Sequence, residues 1–169
     1  MGAAYPGGME FAHGYVAAVD RILAAAVSIF PADPQSAEVK GDPAALGADV
    51  PEGRSGLAAA AEEAASRYRH DDARAAALND ALHSEVIDAV SHAHQAIDAA
   101  RTIRKTATTS ARAVIAEGGE PHNMVLLVSQ MDDRLAAMQD QIGQTRERLQ
   151  AAAQRIETHG AEMAATRHR

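Results

Sequence analysis

Eight histidines and 23 acidic side chains give this 169-residue chain the raw material for metal or acid–base chemistry. The best-grouped set is Glu85, Asp88 and His92, spaced i, i+3 and i+7, so a helix would project all three from one face across two turns. A zinc-like site needs further ligands or an open position shaped for water, and no second segment brings a fourth ligand to that face. The expectation is therefore no metal and no cofactor. His94 falls on another face with Val90 and Ile97 and reads as a packing residue, whereas His159 interrupts an apolar stripe, where a polar side chain sets register. The chain has no cysteine, which removes disulfides, thiol nucleophiles and thiolate ligands. It also has no nucleophile elbow, no glycine-rich phosphate loop after a strand and no His-Glu-x-x-His, so the sequence assigns no catalytic residue and reads as non-enzymatic. Tyr68 and Asp72, four residues apart, would share one face of a helix, and as residues they read as a tyrosine packed on a neighbouring helix and a solvated aspartate.

The elements that must position these groups follow from composition. Hydrophobic residues make up 47% of the chain, but 41 residues are alanine, against two Phe, three Tyr and no Trp. Side chains able to fill a thick core are scarce, which disfavours a sandwich or barrel. Alanine has the best helix propensity and permits close helix contact, so long helices packed side by side are expected. The formal charge of −7, with acids and bases spread evenly, argues against a nucleic-acid partner held through phosphates. The most apolar stretch, residues 16–30, is broken by Asp20 and Arg21 and has no basic region ahead of it. No stable membrane span and no general secretory signal are expected.

Periodicity divides the chain, read as a single helical domain over residues 1–169, into three helices. Phe11, Tyr15, Val19, Ile22, Leu23, Ala26 and Ile29 recur at three- and four-residue steps and predict a helix over 9–30, stopped by Pro31 and Pro34. Residues 31–54 hold four of the six prolines and three glycines and read as an irregular loop. Neither Gly nor Pro occurs between Leu57 and Glu117, so a helix over 55–117 is expected, about 90 Å long at about 1.5 Å per residue. A turn over 118–121 follows, with Gly118 and Gly119 as a C-cap and Pro121 able to start the next helix, over 121–166. In that last helix Val128, Met131, Leu135, Met138, Ile142, Thr145, Leu149, Ala152, Ile156, His159 and Met163 alternate strictly by three and four, a coiled-coil seam. The long helix supplies a matching stripe from Leu78 through Ile97 to Val114. A pivot near Gly119 sets Arg104 and Lys105 opposite Asp132, Asp133 and Arg134. The fold class is thus all-α: an elongated antiparallel helical hairpin or coiled coil, with an additional N-terminal helix packed on the N-terminal part of the long central helix.

The run Leu57-Ala-Ala-Ala-Ala-Glu-Glu-Ala-Ala-Ser-Arg-Tyr68-Arg-His-Asp-Asp72-Ala-Arg-Ala-Ala-Ala-Leu78 resembles the end of the helical hairpin in substrates of the actinobacterial type VII (ESX) secretion system. Those families carry a Tyr-x-x-x-Asp/Glu export motif in an alanine-rich helix followed by small residues and a leucine, and Tyr68 and Asp72 match it. The stretch from Leu126 to Gln139, with Ile142 and Thr145, is similar to helical modules of mycobacterial secreted proteins, some of which precede an NlpC-type cell-wall hydrolase domain. The resemblance covers roughly residues 55–150. It departs from the small hairpin family in having no Trp-x-Gly turn, with residues 31–54 in that place, and in its long coiled coil after the motif. It also has no hydrolase domain and no cysteine to supply that catalysis.

The resemblance implies a non-enzymatic type VII substrate, or the helical targeting and assembly module of one, made in the cytoplasm and carried to the cell envelope or beyond. Tyr68 and Asp72 would be the export signal read by the system's membrane ATPase. The alternatives are a cytosolic coiled-coil scaffold that works by self-association and a helical partner or inhibitor of a cell-wall hydrolase. A hairpin rich in alanine buries little area against the ordering cost of its backbone, and the seam thins toward Thr145, Ala152 and His159. A homo-oligomer or helical heterodimer is therefore expected, with the turn-proximal Val114, Ile115, Val125 and Leu126 as interface candidates.

Overall fold

The computed structural model describes residues 6–30 and 56–167. The segment over 31–54 read as an irregular loop lies outside the described residues. Three helices run in order: α1 (Pro6–Ser28), α2 (Gly56–Ala116) and α3 (Pro121–Arg167), with no strand among the described residues. The protein is all-α, a helical hairpin with an additional N-terminal helix. Pro6 opens α1 in the position where a missing N–H costs nothing. The helix closes through two short-range bonds, from Ile29 N to Ala26 O and from Phe30 N to Val27 O, just ahead of Pro31. Between α2 and α3 the chain reverses at Gly118, whose φ of 110° is open to glycine at little cost. Its N–H bonds to the carbonyl of Ile115, and the buried Asn123 donates its side-chain amide back to the Gly118 carbonyl at 3.1 Å.

The chain's contacts divide it into two compact units, one drawn from residues 1–35 and 90–150, the other from 36–89 and 151–169. In the first, α1 packs against the C-terminal part of α2 and the first half of α3. Ala12, Val19, Leu23, Ala100, Ala107, Ala111, Val114, Leu127, Met131 and Met138 form its closed core. Alanines hold many of the tightest positions because a methyl group lets two helix backbones come close. At the turn the approach is closer still. A Cβ on Gly8 would lie 3.3 Å from the Gly119 carbonyl oxygen, and one on Gly119 would lie 3.2 Å from Cγ of Met9.

This corrects two expectations. The N-terminal helix sits beside the turn, not on the N-terminal part of α2, because Asp20 meets Arg104 and Tyr15 meets Asp132 there. Arg104 is consequently turned to α1 and is not the partner of the acids on α3. The buried stripe of α1 keeps Val19, Leu23 and Ala26 of the expected one, with Tyr15 half-buried beside them, but Ala12 takes the place of Phe11, and Phe11, Ile22 and Ile29 are each more than half exposed. On α3 the seam reads in two depths: Met131, Met138, Thr145 and Ala152 are buried, and Val128, Leu135 and Ile142 are half-buried beside them.

In the second unit the described residues are α2 residues 56–89 and α3 residues 151–167, which pair with each other. Leu78 and Ala152 are the buried hydrophobics among its described residues. Glu85 and Arg155 fix the antiparallel register with an Nε–Oε1 contact of 2.8 Å. That register agrees with a pivot at the glycine pair to within about half a helical turn.

Candidate functional site

Tyr68 and Asp72 stand one turn apart on the uninterrupted α2. Tyr68 is 56% exposed, Asp72 is exposed, and neither has a side-chain hydrogen bond or ion pair with another described residue. Their neighbours differ. Arg67 is bound to Glu63 one turn back, and Arg69 Nε donates to the Ala65 carbonyl at 3.2 Å. The arginines flanking the tyrosine are thus drawn along the helix, and the phenol and carboxylate are left facing solvent. From Arg155, which faces Glu85, the described α3 runs twelve more residues to Arg167, an antiparallel length that reaches about residue 73 of α2. Residues 58–72 are exposed apart from the half-buried Ala58 and Ala65.

The carboxylate and imidazole set does not assemble. Glu85 is turned to Arg155, Asp88 and His92 are exposed, and no group of three potential ligands converges among the described residues. His94 is exposed, so the packing role expected of it is not what the fold gives it. His159 is half-buried on the seam, with Nδ1 buried and without a hydrogen-bond partner.

The four turn-proximal residues separate into two pairs. Val114 is buried in the first unit's core and Ile115 packs half-buried against it, because α1 covers that side of the turn. Val125 and Leu126 remain 70% and 43% exposed, beside a shallow recess that Val125 lines with Met124, Val128 and Asp132.

Sequence reasoning passed over the polar contacts that lock α1 in place. Arg104 grips both carboxylate oxygens of Asp20, at 2.8 and 2.9 Å, and this bond holds the Asp20 carboxyl below its ordinary range. Tyr15 donates its hydroxyl to Asp132 at 3.1 Å. Burial first, and then that bond to a carboxylate, push its ionisation above the ordinary tyrosine range. The signal was present: residues 99–116 carry four basic side chains and no acid, and Asp20 is the acid in the middle of α1. Between these helices lies an open groove of about 1070 Å³. Its walls include Val16, Val27 and Ile115, and its rim carries Arg101, Lys105 and Arg112.

No protein family, curated protein or solved structure matches the chain.

Proposed function

We propose that the protein is a non-enzymatic substrate of a type VII secretion system, or the helical targeting and assembly module of one. In this reading it is made in the cytoplasm and exported to the cell envelope or medium, with Tyr68 and Asp72 read by the system's membrane ATPase. The observation that carries the reading is the exposure of both side chains on one face of α2, with no partner among the described residues. A docking ATPase would find the phenol and carboxylate already spaced by the helix, with no internal bond to break first. The non-enzymatic part rests on how the shifted titratable groups are used: Asp20 and Arg104 bind each other and Tyr15 binds Asp132, so each holds α1 in place. No described helix is long and apolar enough to cross a membrane. The partners of the exported module are a second copy or a cognate helical protein, with the exposed Val125 and Leu126 in reach of it.

The test is export in an actinobacterial host. Tyr68→Ala and Asp72→Ala should each leave the protein folded by circular dichroism and retained in the cells. Normal export of both variants would sink the assignment and return the cytosolic scaffold to first place.

A further inference from the structure

The groove between α1 and α2 has a pattern along it. On α2 its wall runs Arg101, Lys105, Thr108, Arg112 and Ile115, an alternation of four and three, which is the spacing of a surface made to receive another helix. On α1 it is met by Val16, Ala17, Asp20 and Val27. Asp20 is answered by Arg104, but the Lys105 ammonium and the Arg112 guanidinium are exposed and have no side-chain partner among the described residues. They are seven residues apart, about 10 Å along the helix. Cations strung along a groove in this way do not suit a ligand with one charged head, which would want them gathered at one end. They suit a helix with acids at the same interval.

One such helix face is in this protein. Asp133, Asp140 and Glu147 on α3 follow one another by seven, all exposed and all without a partner among the described residues. Each is two residues beyond a buried seam position, Met131, Met138 and Thr145, hence about 200° around the helix and on its outer side. Between them stand Ala136 and Gly143, also exposed, and a Cβ on Gly143 would meet nothing within 4 Å. A glycine inside a helix costs about 1 kcal/mol relative to alanine, and no contact among the described residues explains this one. Close approach by another helix would. Leu126 begins the same stripe, seven residues before Asp133.

We propose that the α1–α2 groove receives the outer face of α3 from a second copy of this chain, with Asp133 and Asp140 meeting the Lys105–Arg112 pair. This names the surface for the self-association in the functional reading above, and it stands whether or not Tyr68 and Asp72 direct export. α3 turns its seam toward α1 and α2, so its acidic stripe faces away from the groove of its own chain. The contact is head-to-tail: each copy offers one groove and one stripe, and assembly continues past the dimer unless the arrangement closes into a ring.

Sedimentation of the purified full chain tests this. The wild type should associate with rising concentration up to about 200 µM, and less so at about 0.5 M salt than at about 0.05 M, where exposed charges are less screened. Lys105→Glu with Arg112→Glu, and separately Asp133→Lys with Asp140→Lys, should each weaken association by about tenfold or more. All four side chains are exposed, and circular dichroism should show both variants folded. An equimolar mixture of the two should associate again, since each then meets the opposite charge. A wild type that stays monomeric throughout overturns the proposal, even if it binds an added acidic helical peptide. So does association that both charge reversals leave unchanged, or a mixture that fails to recover it.

Discussion

Residues 90–116 and 121–150 pack with α1 around a closed core, whereas residues 56–89 and 151–167 pair with little more than Leu78 and Ala152 buried. Composition does not explain the contrast, because both stretches are rich in alanine. The number of helices does. Two helices with alanine seams leave each large side chain covered on one side, so Leu82 and Val86 stay half-buried, while a third helix closes over Leu127 and Met131 completely. The better packed region carries the closed core, and the sparse one carries the exposed Tyr68 and Asp72.

The largest expected effect sharpens this contrast. Leu127→Ala, at a side chain with no exposure, should cost about 2–5 kcal/mol by denaturant titration. Leu82→Ala, at a half-buried site of the helix pair, should cost less than half as much. Equal losses would show that the second unit is as well packed as the first. Next comes the turn. Gly118→Val puts a branched side chain at a φ of 110° and should lose about 1–3 kcal/mol, read as a lowered midpoint with unchanged helix content at low temperature.

A smaller effect belongs to the Asp20–Arg104 bridge. Because Arg104 lowers the Asp20 carboxyl in the folded protein, the unfolded chain takes up that proton first as pH falls. The contribution is whole above the ordinary aspartate value of about 3.9 and is lost as pH drops through the lower folded value. Both side chains are two-fifths exposed, so solvent screens the bridge and its effect should fall below that of the turn variant. The stability gap between wild type and Asp20→Asn should be clear at pH 7 and shrink below about pH 4. A gap that widened on acidification would show that the bridge is not what Asp20 contributes. The smallest effect is expected at Tyr68 and Asp72, where alanine should change stability by no more than about 0.5 kcal/mol. A loss above about 1 kcal/mol at Tyr68 would mean that the phenol is structural.

Much of the helical architecture could be read directly. The absence of Gly and Pro from 57–117 gives α2, and the glycine pair with Pro121 gives the reversal. The seams of α2 and α3 follow from spacing because two long helices share one repeat. The inner face of α1 was legible at Val19, Leu23 and Ala26 but not in its first turns, because hydropathy ranks Phe11 above Ala12 without knowing how close the next backbone lies. Where helices nearly touch, a methyl group fits and a phenyl ring does not, so Ala12 is buried and Phe11 exposed. A helix face read by spacing also leaves out what approaches it. Spacing puts Glu85, Asp88 and His92 on one side of α2 but says nothing of Arg155, which arrives from 70 residues away and binds the Glu85 carboxylate.

The placement of α1 has a consequence in time. This helix is made before the two it docks on, and its bond to Arg104 spans 84 residues and its bond to Asp132 spans 117. At about 5–20 residues per second, the nascent chain waits about 6–23 s between making Tyr15 and making the carboxylate that receives it. Through that interval Val19 and Leu23 have no α3 to close over them. The newborn protein is therefore most vulnerable to capture by chaperones or by its neighbours on the polysome before the second half of the hairpin exists.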